Sequence, residues 1–409
     1  MNPTVEAAFR ALDGEEASWC LLRGEDELDA PKDVDLLVRR RELDRVRSVL
    51  RPLGFVQLPS RGHGPHAFFL AYDATSDRWI KLDAVTALCF GRDFGLRTGV
   101  EEELLARRRR DGALALLDRD DAFWALLLHC LLDKGAIDPR HGATLVRLAG
   151  EGGGDGPLGR LVESACPPGW TAGRIVEVAG REDWPALVEL APLLEARWPR
   201  RAPARSPARQ RASRLANRLE RPGLSVALLA PDGAGKSTLA ASLAESFYLP
   251  VRTVYMGLDQ RPAGGRSGGG RVPGLGLARR LLTVWGRYLG ARAHTARGGL
   301  VVFDRYTYDS ALPPRQPPTP ARRLRRWLIA HACPAPDLVL VLDAPGKVLH
   351  ARKPEHPLAE LEEQRRHYRR LGEGLDRAVV VDASREADEV RREVESLIWE
   401  ALAARIARG

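Results

Sequence analysis

Only five of the 409 residues are cysteine, and Cys20, Cys89, Cys130, Cys166 and Cys333 lie far apart, with no Cys-x-x-Cys pair. That spacing excludes a disulfide framework or a zinc ribbon and predicts buried thiols in a reducing cytoplasm. No apolar run approaches the ~18–20 residues of a membrane span; candidates such as Ala125 to Leu132 are core-sized. The N-terminus carries Glu6, Asp13, Glu15 and Glu16, without the basic-then-apolar layout of a secretion signal. Aromatic residues are few, at 6%, and form no stripe on which nucleic-acid bases would stack. No internal repeat is visible, which excludes a solenoid.

What is present suffices for ordinary cores: 44% of the residues are apolar. At roughly 100–200 residues per domain, the length suggests two or three domains. The net charge of +9 is unevenly spread. Residues 1–196 hold 25 basic and 33 acidic residues, whereas 197–221 hold nine Arg against one acid, Glu220. Residues 222–409 hold 29 basic and 20 acidic residues, so the surplus belongs to a short hinge and to the second half. Such asymmetry points to a basic tail or an anionic ligand site.

The hinge, with Pro203, Pro207 and repeated Arg, has the composition of a solvated linker, or alternatively of an anchor for nucleic acid or an anionic surface. Four domain segments are expected: 1–100, a helical annex over 101–196, the linker 197–221, and 222–409. In the first hundred residues, Trp19–Leu22, Val34–Val38, Ala67–Tyr72 and Trp79–Val85 pattern as strands, and Arg41–Leu50 as a helix ending near Gly54. Gly152–Gly156 interrupts the annex as a loop. After the linker, strands at Ser225–Ala230, Val251–Met256, Leu300–Phe303, Leu338–Leu342 and Ala378–Val381 alternate with five helical segments. That order predicts an α/β doubly wound, three-layer sandwich over a parallel sheet, behind an α+β first domain.

The run Leu228-Leu-Ala-Pro-Asp-Gly-Ala-Gly-Lys-Ser-Thr-Leu follows a predicted strand and opens a helix, the context of a Walker A phosphate loop. Its residues Asp232, Gly233, Ala234, Gly235, Lys236, Ser237 and Thr238 form the expected ATP site. Gly233 and Gly235 let backbone N–H groups approach phosphate at the positive end of the helix. Lys236 can reach the β- and γ-phosphates and the Ser237 hydroxyl can ligate Mg²⁺. Ala230 stands where such loops usually begin with Gly. Downstream, Val301-Val-Phe-Asp-Arg-Tyr ends a strand, where Asp304 can hold Mg²⁺ and Arg305 can face an anionic acceptor. A plain salt bridge among neighbours is the alternative for that pair.

These pieces, with Leu338-Val-Leu-Val-Leu-Asp and the basic segment Arg352-Lys-Pro-Glu-His-Pro, resemble the thymidylate kinase family of P-loop nucleoside monophosphate kinases over residues 224–406. The resemblance implies ATP and Mg²⁺ as cofactors and transfer of a phosphoryl group to a small anionic acceptor. It implies that Asp232 contacts the acceptor and that Asp304 and Arg305 hold its phosphate. It makes Arg287 and Tyr306 further candidates for contact with the acceptor. The family carries its catalytic cation in the P-loop or in the lid; with Gly at 233, the role passes to Arg352 and Lys353, with Arg365 and Arg366 in reserve. Where the family has an Arg-Glu-Pro-Gly run, this chain has Tyr255-Met-Gly-Leu-Asp-Gln-Arg-Pro, and residues 260–298 contain eight Arg and no acid. The acceptor therefore stays open: a nucleotide, a phosphosugar or a nucleic-acid end.

In the first half, Leu22-Arg-Gly-Glu precedes Lys32-Asp-Val-Asp-Leu-Leu-Val, and Trp79-Ile-Lys-Leu-Asp-Ala-Val follows. Asp33 and Asp35 alternate on one strand, so they share a face, and Asp83 on a neighbour could complete a trio for two Mg²⁺ ions. Over residues 15–100 this resembles the nucleotidyltransferase superfamily that includes DNA polymerase β. The family usually has Gly-Ser where Gly24-Glu25 stands here, so an active transferase and a fold kept for binding both remain open. His63 and His66 flank a Gly-Pro turn, and His129 sits on an apolar helix, where core packing accounts for it.

The expectation is thus a cytoplasmic Mg²⁺–ATP-dependent kinase. One alternative is a bifunctional enzyme that also transfers a nucleotidyl group to a metabolite such as a sugar phosphate. The other is a regulatory nucleic-acid binder, less favoured because phosphate ligands account for most of the basic bias. A homodimer is possible.

Overall fold

A computed structural model describes residues 1–152, 155–203, 206–220, 223–257, 275–314 and 317–407. The Gly- and Arg-rich stretch 258–274 and part of the 152–156 loop lie outside the described residues. The chain divides into two units, one reaching Asn217 and one from Arg218 onward, with Ala74–Asp77 grouped with the second.

In the first unit, helix α1 (Pro3–Gly14) begins where the Asn2 side chain accepts from the Thr4 and Val5 N–H groups. It buries Val5, Ala8, Phe9 and Leu12, and Phe9 stacks on Trp19 at 4.6 Å. The strands are β1 (Trp19–Leu21), β2 (Asp33–Val38), β3 (Val56–Leu58), β4 (His66–Asp73), β5 (Arg78–Val85), a small ribbon of β6 (Cys89–Phe90) and β7 (Leu96–Arg97), β8 (Arg109–Asp111) and β9 (Leu114–Leu116). All but the ribbon form one mixed sheet in the order β3-β4-β5-β2-β1-β9-β8. Helices α2 (Leu43–Leu50) and α3 (Glu101–Arg107) precede a bundle of α4 (Arg119–Leu128), α5 (Pro139–Glu151), α6 (Pro157–Ala165), α7 (Ala172–Gly180) and α8 (Trp184–Arg197).

Two sequence expectations change here. Residues 109–116 are not helical: β9 pairs in parallel with β1, and β8 closes against β9, so the sheet extends into the annex. The turn at Gly112, with φ +57°, makes that hairpin possible. The hinge is not a solvated linker either. Trp198 is buried and its indole N–H donates to the Arg97 carbonyl at 2.8 Å. Residues 207–220 form helix α9, and the Asn217 amide both donates to and accepts from the Arg61 backbone. The physical reason is local: Ala and Arg are strong helix formers, and once Trp198 and Asn217 have partners the segment is anchored at both ends.

The second unit follows the expectation closely. Strands β10 (Leu224–Leu229), β11 (Val251–Tyr255), β12 (Leu300–Asp304), β13 (Leu338–Asp343) and β14 (Ala378–Asp382) form an all-parallel sheet in the order β11-β12-β10-β13-β14. Connecting helices are α10 (Lys236–Ser246), α11 (Leu275–Thr295), α12 (Pro320–Ala330), α13 (Gly346–Arg352) and α14 (Leu358–Glu373), with α15 (Ala387–Ile406) last. Central strands β10, β12 and β13 are apolar on both faces because helices cover both. One core joins Val284 and Ala291 of α11 to Phe303, Val339 and Val341 of the sheet and Tyr368 of α14. The strand order reverses beside β10, which puts a crevice at the carboxyl ends of β10, β12 and β13.

All five cysteines are free, and burial pushes their thiols up, Cys20 to about 12. Among the described residues, no helix is long and apolar enough to cross a membrane.

Candidate functional site

The Gly-rich loop between β10 and α10 turns at Gly233 and Gly235, with φ of +87° and +84°. A Cβ on Gly233 would stand 2.6 Å from the Leu349 carbonyl oxygen, so backbone from α13 excludes any side chain there. That contact is the physical reason the loop offers no cation besides Lys236. Lys236 is 7% exposed and its Nζ donates to the Ala230 and Pro231 carbonyls, each at 2.8 Å. Burial, then the neighbouring Arg305, lowers its pKa to about 8 against the pull of Asp232.

One turn into the same site, the Ser237 hydroxyl donates to Asp304 at 2.9 Å, joining the start of α10 to the end of β12. A hydroxyl and a carboxylate meeting at a helix N-terminus are a donor set suited to a hard cation such as Mg²⁺. Arg305 has φ +64°, a left-handed backbone that carries its guanidinium across to Asp232, 2.5 Å away. Its other arm reaches Asp309 at 3.4 Å, and the Tyr368 hydroxyl donates to Asp309 at 3.3 Å. Burial raises the Asp309 pKa, opposed chiefly by Arg305. Burial opposes the Arg305 charge, yet Asp232 and Asp309 leave its pKa raised.

Two cavities share Asp232, Tyr255 and Arg305 as a common wall. One, of about 660 Å³, runs from the Gly-rich loop past Asp304 to Arg352, Ala383 and Arg385. The other, of about 820 Å³, is lined by Arg280, Arg322, Arg325 and Arg326 with His356 and Tyr368. A loop ringed by N–H groups and a buried lysine on one side, and clustered arginines on the other, can hold two anionic groups facing each other across Arg305.

The structure places the remaining expected residues more unevenly. Thr238 and Ala234 line the first cavity. The Arg352 guanidinium lines the same cavity and donates to the Ala383 carbonyl at 2.7 Å. Lys353 pairs with Glu355 at 3.0 Å. Arg287 donates to the Gly257 carbonyl at 3.2 Å and does not line either cavity. Tyr306 is 1% exposed, its hydroxyl given to the Pro334 carbonyl at 2.6 Å, which makes it mainly a core residue. Arg365 grips Asp343 through two bonds of 2.6 and 3.0 Å, and Arg366 is exposed.

Sequence reading missed Asp309, Tyr368 and His356, whose Nε2 lies 4.0 Å from Asp232. The Arg305-to-Asp309 spacing of four was the visible signal; Tyr368, on a charged helix, gave none.

In the first unit, β2 pairs in parallel with β5 so that Asp35 sits opposite Asp83 and Asp33 opposite Lys81. The three carboxylates therefore share one face, as expected. Each is met by a cationic or protonatable partner: Asp33 by Lys81 at 2.7 Å, Asp35 by Arg23 at 2.7 Å, and Asp83 by His66 at 2.9 Å. Among the described residues, no group of three or more His, Cys, Asp or Glu side chains is arranged to hold a metal ion. A pair of Mg²⁺ ions at the trio would have to displace Lys81, Arg23 and His66 from these carboxylates. His129 pairs with Asp133 at 2.9 Å and serves helix packing.

No protein-family model matches the chain, and no curated protein matches it either.

Proposed function

We propose that the second unit is a P-loop kinase of the thymidylate kinase type, which uses Mg²⁺–ATP to phosphorylate a small anionic acceptor. The observation that carries this reading is the convergence of Lys236, Ser237, Asp304 and Arg305 at the carboxyl ends of β10 and β12. In this reading the loop N–H groups and Lys236 hold the donor phosphates, which draw Lys236 away from the Ala230 and Pro231 carbonyls. Ser237 and Asp304 hold Mg²⁺, which when bound neutralises phosphate charge. Arg305 exchanges Asp232 for the acceptor's anion and fixes it in line. An ionised acceptor oxygen attacks the γ-phosphorus; the bond to the β,γ-bridging oxygen breaks, and ADP leaves with that electron pair. Because the nucleophile is already ionised, positioning and charge stabilisation suffice and no general base is required.

The first unit, in the same reading, has the nucleotidyltransferase-like fold but uses it for binding. The partners on Asp33, Asp35 and Asp83 weigh against the bifunctional alternative. Screening ATP turnover against nucleoside monophosphates and sugar phosphates tests the kinase reading: Lys236→Ala should abolish acceptor-dependent ADP formation. Retention of that activity in Lys236→Ala would refute it.

A further inference from the structure

The second cavity holds more positive charge than one anion needs. Helix α12 supplies Arg322, Arg325 and Arg326 to its wall, and α11 supplies Arg280. The three on α12 stand at i, i+3 and i+4, so they share one face of the helix. Residues 275–303 and 311–336 contain no Asp or Glu, so neither helix offers a counter-ion. Among the described residues no carboxylate pairs with any of the four, and Arg326 donates to the Leu312 carbonyl instead. On α14, Glu360 is already engaged by His356 at 3.5 Å and by Gln364 at 3.1 Å, and Glu363 is exposed. Arg305, by contrast, stands in the same cavity with Asp232 and Asp309 as its partners.

Two kinds of cation therefore face one cavity. Arg305 must release a carboxylate to take an anion, whereas the four arginines hold no carboxylate to release. Guanidiniums gathered on a concave wall repel one another until a counter-charge sits among them, and their planar forks suit phosphate. The space, about 820 Å³, is of the size that holds a whole small-molecule ligand. We infer that the acceptor is a small molecule with two separate phosphate groups. Arg305 holds the first, which receives the phosphoryl group, and Arg280, Arg322, Arg325 and Arg326 hold the second. The inference rests on the kinase reading for the first phosphate only. The transfer is that of the same reading: an oxygen of the first phosphate bonds to the γ-phosphorus, the bond to the β,γ-bridging oxygen breaks, and ADP leaves with that electron pair.

Calorimetry on the full-length protein compares two pairs of probes: a nucleoside 3′,5′-bisphosphate against its 5′-monophosphate, and ribose 1,5-bisphosphate against ribose 5-phosphate. In at least one pair the bisphosphate should bind roughly tenfold to a hundredfold more tightly, and which pair it is tells a nucleoside from a sugar. Arg322→Gln with Arg325→Gln should bring that ratio to within about twofold of unity, with the thermal midpoint and the ATP affinity as checks that the fold survives. Equal affinities in both pairs, or a ratio that survives the substitutions, would overturn the inference. So would a 5′-phosphorylated trinucleotide that binds more tightly than either bisphosphate, which would give the cavity to a nucleic-acid end. ADP formation, followed alongside, keeps the two readings apart. A bisphosphate that binds with the expected ratio but accepts no phosphoryl group refutes the kinase reading and leaves the second phosphate site standing. Monophosphates and bisphosphates phosphorylated with equal kcat/KM refute the second site alone.

Discussion

Arg305 and Asp232 are bonded at 2.5 Å across the wall that separates the two cavities. In the kinase reading, this arginine, with its left-handed backbone at a strand end, is held by a carboxylate of the Gly-rich loop that competes with the acceptor's anion. Asp232→Asn keeps the shape and removes that competing charge. Inorganic phosphate should then bind roughly threefold to tenfold more tightly, as read by calorimetry. Acceptor turnover should fall in the same variant, because Arg305 is no longer aligned. Unchanged phosphate affinity would show that the pair does not gate the site.

Lys236 carries a second prediction, set by pH. Its pKa is lowered to about 8 in the ligand-free site, whereas a bound polyphosphate favours the ammonium and raises it. The sign follows: binding takes up a proton, and affinity is lost as pH rises through about 8. The ATP dissociation constant should therefore increase by up to tenfold per unit above that point. Calorimetry in buffers of different ionisation enthalpy should show proton uptake at pH 8 to 8.5. Chelating Mg²⁺ should abolish turnover without abolishing this proton uptake.

In the ligand-free site the Arg352 guanidinium is held by the Ala383 carbonyl, in the cavity that the Gly-rich loop also lines. Arg352→Ala should accordingly raise the KM for ATP by roughly tenfold while kcat changes less than threefold. A large fall in kcat at unchanged KM would return it to the transition state.

The second unit was legible because its signals are local. An apolar strand, a Gly-rich turn and a helix start are adjacent in sequence, and Asp304-Arg305 ends a strand whose position the βαβ rule fixes. Asp309 and Tyr368 were not legible, because their meeting depends on how α14 packs on the sheet. Position 233 shows the same limit: the sequence displays a glycine, but only the tertiary approach of Leu349 explains it. In the first unit, the shared face of Asp33 and Asp35 followed from strand alternation, while the cations opposing them came from β5 and from the turn after β1. The helix α9 was hidden by charge, since proline and arginine runs resemble linkers until Trp198 and Asn217 find partners.

The carboxylates of the first unit supply a further test. Asp33→Ala with Asp35→Ala should leave acceptor-dependent ADP formation within twofold of wild type, and on the binding reading of this unit the wild type itself should release no pyrophosphate. The Asp33–Lys81 and Asp35–Arg23 pairs are partly exposed, so losing each should cost about 1 kcal/mol of stability or less. Metal-dependent pyrophosphate release that vanished in this variant would restore the transferase reading.

Gly233 sets the tightest constraint on the site. Its φ of +87° is costly for any residue with a Cβ, by about 1–2 kcal/mol, and that Cβ would also press on the Leu349 carbonyl 2.6 Å away. The carbonyl belongs to α13, the helix that ends at Arg352, so relief of the clash must move the segment lining the donor cavity. Gly233→Ala should therefore lower the unfolding free energy of the second unit by about 2–3 kcal/mol and weaken ATP binding at least tenfold. Gly112, with φ +57° but no neighbour within 4 Å of its Cβ, is the control: Gly112→Ala should cost about 1 kcal/mol in the first unit and leave ATP binding unchanged. If both variants behaved alike, the effect at 233 would be backbone strain alone, and the close approach of α13 would play no part in shaping the phosphate loop.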